Sequence, residues 1–192
     1  MIAMNRPAAR VATEPVIRRA HPGDAMPLSA LAERTFRDTF AAYNAPDDMD
    51  AHCRGNYARD LMAREIAAPH IVTLVAEHDG QLTGYGQLRW TAVPACVHGA
   101  RPAEIGRLYV DAPWHGLGIA QALMARMVDH AIAGGADRLW LGVWESNHRA
   151  LAFYRKIGFV EVGRHVFMVG PDPQNDLLLA RDAAPLAISS SP

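Results

Sequence analysis

The segment from Glu104 to Ala120 constrains the fold more strongly than any other part of the chain. An apolar strand pattern runs there through a short turn into two glycines, Gly116 and Gly118, which open a helix. Glycine removes the side chain where a backbone must come close to a ligand, and a helix start offers unpaired N–H groups and the positive end of the helix dipole. The segment therefore predicts a strand, an anion-binding loop and a helix in direct succession.

The loop does not match the two common nucleotide-binding motifs that contain such glycines. A P-loop requires Lys followed by Ser or Thr after the second glycine, and this pair is missing. Gln121 stands where a dinucleotide-binding fingerprint has its third glycine. The loop alone leaves two interpretations open, a phosphate-bearing ligand of another kind or a turn that merely needs flexible residues.

Composition limits the class of protein. The chain has 192 residues, of which 50% are hydrophobic and 20% charged, as is typical of one globular domain. A formal net charge of −1 gives no general attraction to nucleic acid or to an anionic membrane, and no apolar run reaches the length of a membrane span. Cys53 and Cys96 are far apart, and no His or Cys cluster has the spacing of metal ligands. We therefore expect a cytoplasmic protein without a metal, nucleic-acid or membrane partner.

Both chain ends differ from the middle. Residues 1–14 and 182–192 lack hydrophobic periodicity, so we expect disordered arms on one domain that spans residues 15–181. Because one helix separates the strand patterns at 104–110 and 138–144, these two strands should be parallel. The full set of predicted elements is a strand at 15–19, a helix whose apolar face runs from Leu28 to Tyr43, a helix at 49–67, a hairpin of strands 71–77 and 82–90, a strand at 104–110, a helix whose apolar face runs from Ile119 to Ile132 and which Gly134 and Gly135 terminate, a strand at 138–144, a helix at 147–157, and strands at 159–169 and 177–180.

A second group of polar residues lies on the helix predicted at 147–157. Asn147 and Tyr154 are seven residues apart and therefore share one helical face. An amide at the helix start and a phenol two turns later suit a ligand with amide groups at one end and a leaving group that needs a proton at the other. Pantetheine that ends in a thioester has this form. The alternative roles are a helix N-cap for Asn147 and a packed aromatic for Tyr154.

With these two motifs the chain resembles the GCN-five-related N-acetyltransferases, the GNAT superfamily, from about Val16 to Leu179. The family's acetyl-CoA loop has the form Arg/Gln-x-x-Gly-x-Gly/Ala, to which the segment His115–Ala120 is similar. The resemblance implies an α/β (α+β) fold with a twisted, mostly antiparallel sheet of about six to seven strands, a central parallel pair and about four flanking helices. The family's later pattern appears here as Asn147, Ala150, Phe153, Tyr154, Gly158 and Phe159.

A closer likeness is to the spermidine/spermine N-acetyltransferases of the PaiA type. Gly106 stands where that group is expected to have a second Glu, and Asn175 stands where Thr is usual. The missing carboxylate at Gly106 weakens the prediction of a polyamine acceptor. The similar segments are Thr35–Phe40, Ile105–Val110, His115–Gly118, Trp140–Glu145 and the residues Gly170, Gln174 and Asp176.

The resemblance implies that the main chain holds acetyl-CoA as a cosubstrate. Leu108, Tyr109 and Val110 would contact the pantetheine and the thioester. Asn147 and Lys156 complete the predicted cofactor contacts, although Lys156 also suits the last turn of a helix as a partner of its dipole. The pyrophosphate would lie against His115, Gly116, Leu117, Gly118, Ile119 and Ala120.

Two residues are the predicted catalytic groups. Tyr154 is the candidate general acid that protonates the departing CoA thiolate, and Glu104 is the candidate general base that draws a proton from the substrate ammonium. The alternative for Glu104 is a solvated residue at the start of a strand.

The leading functional prediction is an N-acetyltransferase that moves acetyl from acetyl-CoA to a primary amine, a polyamine or another small amine, by direct attack through a tetrahedral intermediate. Two alternatives stay open: a non-catalytic acyl-CoA-binding sensor, and an acetyltransferase that acts on a protein N-terminus or lysine. Retention of both Tyr154 and Glu104 favours the enzyme. Dimerisation is common in the family, and no feature of the sequence tests whether this chain forms a homodimer.

Overall fold

A computed structural model of the chain describes residues 15–169 and 172–186. Short 3-10 turns lie at Pro22–Asp24, Ala41–Tyr43 and Ala112–Trp114. The α-helices are α1 (Ala25–Phe40), α2 (Pro46–Asn56), α3 (Arg59–Ala67), α4 (Ile119–Ala133) and α5 (His148–Lys156). The strands are β1 (Val16–Arg19), β2 (Ile71–His78), β3 (Gln81–Arg89), β4 (Pro102–Val110), β5 (Arg138–Trp144), β6 (Val160–Val169) and β7 (Asp172–Asp182).

The strands form one sheet in the order β1-β2-β3-β4-β5-β7-β6. Neighbouring strands are antiparallel except for the central pair of β4 and β5, which is parallel and joined by α4. Parallel neighbours need such a crossover, whereas β2 and β3 need only a tight turn, made by Asp79 and Gly80 at positive φ. The predicted mixed sheet with a central parallel pair is therefore confirmed.

The pairing between β4 and β5 is short. It joins Pro102–Glu104 to Arg138–Trp140 and then stops. Beyond it, β4 carries a β-bulge at Gly106, which has no partner in the register with β3. A bulge bends its strand and increases the local twist. The remaining parts of β4 and β5 separate, so that the β5-facing main chain of residues 105–110 borders an opening.

The prediction of one helix over residues 49–67 is wrong, because the chain forms α2 and α3 there. It turns at Tyr57, whose side chain is buried with its ring centre 5.4 Å from that of Phe36. The Tyr57 carbonyl also accepts a hydrogen bond from the Ser29 hydroxyl of α1. Burial of Tyr57 stabilises the turn more than a continuous helix would. In addition, α2 starts earlier than expected, at Pro46, because proline is favourable as the first residue of a helix. The described residues therefore contain five α-helices, one more than the expected number of about four.

The last strand is also longer than the predicted strand at 177–180. β7 extends from Asp172 to Asp182 because it pairs with β5 on one side and with β6 on the other. Beyond it, the Ala183 N–H donates to the Asp137 carbonyl at 3.0 Å. Residues 1–14 and 187–192 lie outside the described residues, as does Gly170 of the family resemblance. The domain limits stay a prediction.

Helices cover both faces of the sheet, and burial of each large apolar side chain contributes roughly 1.5–3 kcal/mol relative to exposure. The core beneath α4 and α5 includes Leu88, Leu123, Met127, Leu139 and Leu151. The core beneath α1, α2 and α3 includes Leu31, Phe36, Met62, Val75 and Tyr85. The opening between β4 and β5 therefore lies between two helical layers.

A buried ion pair fastens one of these layers to β4. Arg107 Nη1 lies 2.6 Å from Glu65 Oε2 of α3, with the side chains only 10% and 12% exposed. The same carboxylate oxygen accepts a hydrogen bond from Gln87 at 2.9 Å. The guanidinium of Arg107 also lies 5.2 Å from the centre of the Tyr57 ring. Arg107 follows the bulge directly, so these contacts hold β4 where it bends.

We expect Glu65→Ala to lower the free energy of unfolding by about 3 kcal/mol, because it leaves the buried Arg107 cation without its partner. Urea unfolding followed by circular dichroism measures the change. Glu33→Ala is the matched control: Glu33 pairs with Arg37 on α1 but is 45% exposed, so its loss should cost less than about 1 kcal/mol. Equal losses in the two variants would contradict the importance of the buried pair.

Candidate active site

The opening between β4 and β5 leads into a cavity of ≈ 620 Å³. One wall consists of the end of β4, the loop after it, the first turn of α4, and α5; the other consists of α1 and the 3-10 turn that follows it. A smaller cavity of ≈ 120 Å³ adjoins the first and reaches β7. The lining residues that the two cavities share are Leu108, Tyr109, Trp144, Asn147, Ala150 and Tyr154.

The loop between β4 and α4 has the properties of an anion-binding loop. Gly116 and Gly118 both have left-handed backbones, with φ of 80° and 79°, and a Cβ on either would meet no atom within 4 Å. The glycines therefore provide the conformation and leave the space in front of the loop open. The first hydrogen bond of α4 runs from the Ala122 N–H to the Gly118 carbonyl. The N–H groups of residues 119–121, which line the larger cavity, thus have no intrahelical partner.

His115 ties this loop to its surroundings through both ring nitrogens. Its Nε2 lies 2.8 Å from the Val110 carbonyl oxygen, and its Nδ1 lies 2.7 Å from Nη1 of Arg149. Because a carbonyl only accepts and a guanidinium only donates, these partners assign a neutral ring with its hydrogen on Nε2. Arg149 lines the larger cavity and is thereby held beside the loop. A positive charge and a helix N-terminus converge at the place where an anion would bind.

The two polar residues of α5 line the same cavities. Asn147 is the N-cap of α5, where its Oδ1 accepts a hydrogen bond from the Ala150 N–H at 3.1 Å, and its amide NH₂ is a second polar group at the cavity. Tyr154 lies two turns further along and is 8% exposed. Burial raises the pKa of Tyr154, and nearby Tyr109 adds to the rise. The phenol therefore stays protonated at neutral pH, which is the state that a general acid needs.

Leu108, Tyr109 and Val110 line the larger cavity at the end of β4. Their side chains alternate, with Leu108 and Val110 against the α4 core and Tyr109 against the opposite core, its ring stacked on Tyr85 at 5.7 Å. Burial raises the pKa of Tyr109 to about 12, so this phenol is neutral as well. Since β3 pairs with one edge of β4, main-chain groups on the other edge are available to a ligand in the opening.

Three predicted site residues border neither cavity. Leu117 is 62% exposed at the tip of the loop. Lys156 lies in the last turn of α5, about 13 Å along the helix from its start. Glu104 lies near the other end of β4, where its carboxylate accepts hydrogen bonds from the Thr91 hydroxyl at 2.9 Å and from Arg89 at 3.3 Å.

The wall formed by α1 was not anticipated from the sequence. Thr35 and Thr39 of α1 and Tyr43 of the 3-10 turn after it belong to the apolar face predicted for this helix, and they line the larger cavity together with Asp38. Tyr43 also makes an edge-to-face contact with Trp144, with ring centres 4.8 Å apart. The signal in the sequence was the presence of two threonines and a tyrosine on an otherwise apolar stripe.

Arg149 and Asp176 are further cavity residues that sequence analysis gave no role. Arg149 is two residues from Asn147, so its place at the start of α5 was a usable signal. Asp176 was part of the family resemblance, but it reaches the smaller cavity only because β7 lies beside β5 in the sheet. That arrangement is set by tertiary structure and cannot be read from local spacing.

Within residues 15–169 and 172–186, no three His, Cys, Asp or Glu side chains are grouped so that they could hold a metal ion. None of the helices in this described part is long and apolar enough to cross a membrane. The absence of a metal and the cytoplasmic location stay predictions.

Comparison with known proteins identifies the family. Residues 32–159 match the model of the acetyltransferase (GNAT) family. An uncharacterized N-acetyltransferase of Mycobacterium bovis is 34% identical over 160 residues, which cover 83% of this chain and 97% of that protein. A crystal structure of PaiA N-acetyltransferase from Thermoplasma acidophilum in complex with coenzyme A has a TM-score of 0.71 and 21% identity, over 88% of this chain and 99% of that chain. A structure of yncA, a putative acetyltransferase from Salmonella typhimurium with its cofactor acetyl-CoA, has a TM-score of 0.64 and 19% identity, over 90% of this chain and 95% of that chain.

The chain belongs to the GNAT acetyltransferase family and is an acetyl-CoA-dependent N-acetyltransferase. At 21% identity, the likeness to the PaiA protein is one of fold. The residues described above fit CoA, because the loop has open space, unpaired N–H groups and a neighbouring guanidinium for its phosphates.

Gly118→Ala should weaken CoA binding about fivefold to thirtyfold, because a side chain in the left-handed conformation costs about 1–2 kcal/mol. Calorimetric titration with CoA measures the change. Gly55→Ala is the matched control, since Gly55 lies within α2 and a Cβ there meets nothing within 4 Å. An affinity equal to that of the parent in Gly118→Ala would show that the loop conformation is not used for binding.

Proposed function

We propose that this enzyme acetylates the primary amine of a small molecule. The observation that carries the proposal is the adjacency of the two cavities at Tyr154, which borders both. The anion-binding loop lies at one end, and a space of ≈ 120 Å³ that would admit a slender amine-bearing group lies at the other. Arg149 lies beside the loop, whereas the carboxylate of Asp176 lines the smaller space, where the other charged group, Arg107, is paired with Glu65.

When bound, acetyl-CoA supplies a thioester whose acetyl carbon is open to attack by an amine. The N–H groups at the start of α4, together with Arg149, would hold the diphosphate. The β5-facing edge of residues 108–110 would bind the pantetheine and direct a main-chain N–H at the thioester oxygen. One such positioned donor contributes about 3–4 kcal/mol, or roughly a hundredfold to a thousandfold in rate.

A thiol-release assay with acetyl-CoA and a panel of acceptors tests the proposal. The panel contains polyamines, amino acids, aminoglycosides and short peptides, and reactions without an acceptor are the control. We expect turnover of at least one small primary amine well above the control. Turnover of peptides alone would favour acetylation of proteins, and binding of acetyl-CoA without any turnover would favour a sensor.

Tyr154→Phe should lower the turnover number about a hundredfold or more, because the ring packing is kept while the proton donor for the thiolate is lost. The dissociation constant of CoA should change less than about twofold. Steady-state kinetics and calorimetry separate the two effects. A turnover number equal to that of the parent would remove Tyr154 from the mechanism.

Arg149→Ala should weaken acetyl-CoA binding about tenfold and leave the turnover number nearly unchanged, because the guanidinium contacts the phosphates and is remote from the thioester. The affinity of the parent for acetyl-CoA should also fall as salt is added, because salt screens the contact between guanidinium and phosphate. In the variant, the affinity should depend less on salt. Arg155→Ala on the exposed side of α5 is the matched control. Equal affinity in both variants would contradict a phosphate contact by Arg149.

A further inference from the structure

We propose that Asp176 accepts the proton of the acceptor amine, and that the acceptor nitrogen therefore reacts at the mouth of the smaller cavity. The inference rests on the proposed function. In that function Tyr154 gives a proton to the thiolate, and Asp176 takes the proton that the acceptor amine loses.

The position of Asp176 is suited to this role. It lies on β7 opposite Trp144 of β5 and borders the smaller cavity. Gly142 of β5 lies beside it, and a Cβ at Gly142 would come to 3.3 Å from Asp176 Oδ2. Because glycine has no side chain, residue 142 leaves the carboxylate uncovered at this position. Tyr154 borders the same small cavity, so an acid and a base line one opening.

The surroundings of the carboxylate favour its taking up a proton. Phe36 and Phe40 of α1 and Tyr109 of β4 line the cavity with it, and His165 of β6 is its neighbour in the register. Burial raises the pKa of Asp176 to about 6, while the charge of His165 lowers it in part. A base with a pKa near the working pH is both ionised and able to hold a proton.

The other charged and titratable groups at this cavity do not compete for that proton. Arg107 of β4 also lines it, but its guanidinium is paired with the carboxylate of α3 at 2.6 Å. Tyr109 and Tyr154 are neutral, because burial raises the pKa of each phenol. Within the described residues, no side chain forms a hydrogen bond or an ion pair with Asp176.

Glu104, the base predicted from the sequence, has a different environment. Both of its carboxylate oxygens are engaged, one by the Thr91 hydroxyl and the other by Arg89. It lies five residues before Tyr109 on β4, or about 16 Å along an extended strand. Asp176, and not Glu104, borders the cavity that Tyr154 reaches.

The proton balance requires such an acceptor. The amine nitrogen forms its bond to the acetyl carbon to give a tetrahedral intermediate. When this intermediate collapses, the C–S bond breaks, its electrons stay on sulfur, and the sulfur takes the hydroxyl proton of Tyr154. An ammonium nitrogen loses two protons in becoming an amide. One passes to Asp176 and then to solvent, and the other restores Tyr154. An ammonium ion and a thioester thus give an amide, a thiol and one released proton.

The test compares the pH dependence of kcat/KM in the parent and in Asp176→Asn, with an acceptor amine identified by the panel. In the parent, the rate should rise with pH through about 6, as Asp176 loses its proton, and then level off. In Asp176→Asn it should fall about a hundredfold at pH 7 and keep rising toward the pKa of the amine, because only neutral amine then reacts. Carboxyl carbon NMR of the parent should show a titration near pH 6 that the variant lacks.

Three further variants make the test decisive. Asp182→Asn is the matched control, since Asp182 is on the same strand but 83% exposed, and its profile should equal that of the parent. In Asp176→Glu, kcat/KM should still rise with pH through the titration of a carboxylate. This result would show that the effect of Asp176→Asn comes from the lost carboxylate and not from a disturbed fold. If Glu104→Gln abolishes the rise of kcat/KM with pH and Asp176→Asn keeps it, the assignment of Asp176 as the proton acceptor is overturned, although the proposed function stands. If the parent itself turns over no amine, the proposed function fails instead.

Discussion

The separation of β4 from β5 is the constraint on which the rest of the site depends. Their parallel pairing ends after residue 104, and the bulge at Gly106 turns β4 away from its neighbour. Main-chain N–H and C=O groups that are buried without hydrogen-bond partners cost free energy. A ligand in the opening would supply these partners. The buried pair of Arg107 and Glu65 holds the bent part of β4 against α3, which keeps the opening in a defined shape.

Electrostatics along the opening follow from the same geometry. The start of α4 and the guanidinium of Arg149 lie at the loop, and the carboxylate of Asp176 lies at the far end, in the smaller cavity. Between them the phenols of Tyr109 and Tyr154 are neutral, because burial raises their pKa values. The proposed reacting centre lies at these phenols, where charges on neighbouring side chains are less screened than in water.

Local sequence patterns predict the geometry of the loop end of the opening but not that of the smaller cavity. The loop with Gly116 and Gly118, and the shared face of Asn147 and Tyr154, depend on spacing within one or two elements, so a sequence can predict them. The turn at Tyr57 depends on a pocket beneath α1, and this contact overrides helix periodicity. Asp176 borders the smaller cavity because β7 pairs with β5 in the sheet. This strand order cannot be read from the spacing of residues along the chain.

The insertion of β7 between β5 and β6 has a consequence for synthesis of the protein. Until residues 172–182 leave the ribosome, the edge of β5 has no neighbour on that side, and its apolar stretch from Leu139 to Val143 is open to other chains. At about 5–20 residues per second this interval lasts a few seconds. Chaperone engagement of the nascent chain should therefore peak between the emergence of β5 and that of β7, and stop codons in this interval should give aggregation-prone fragments.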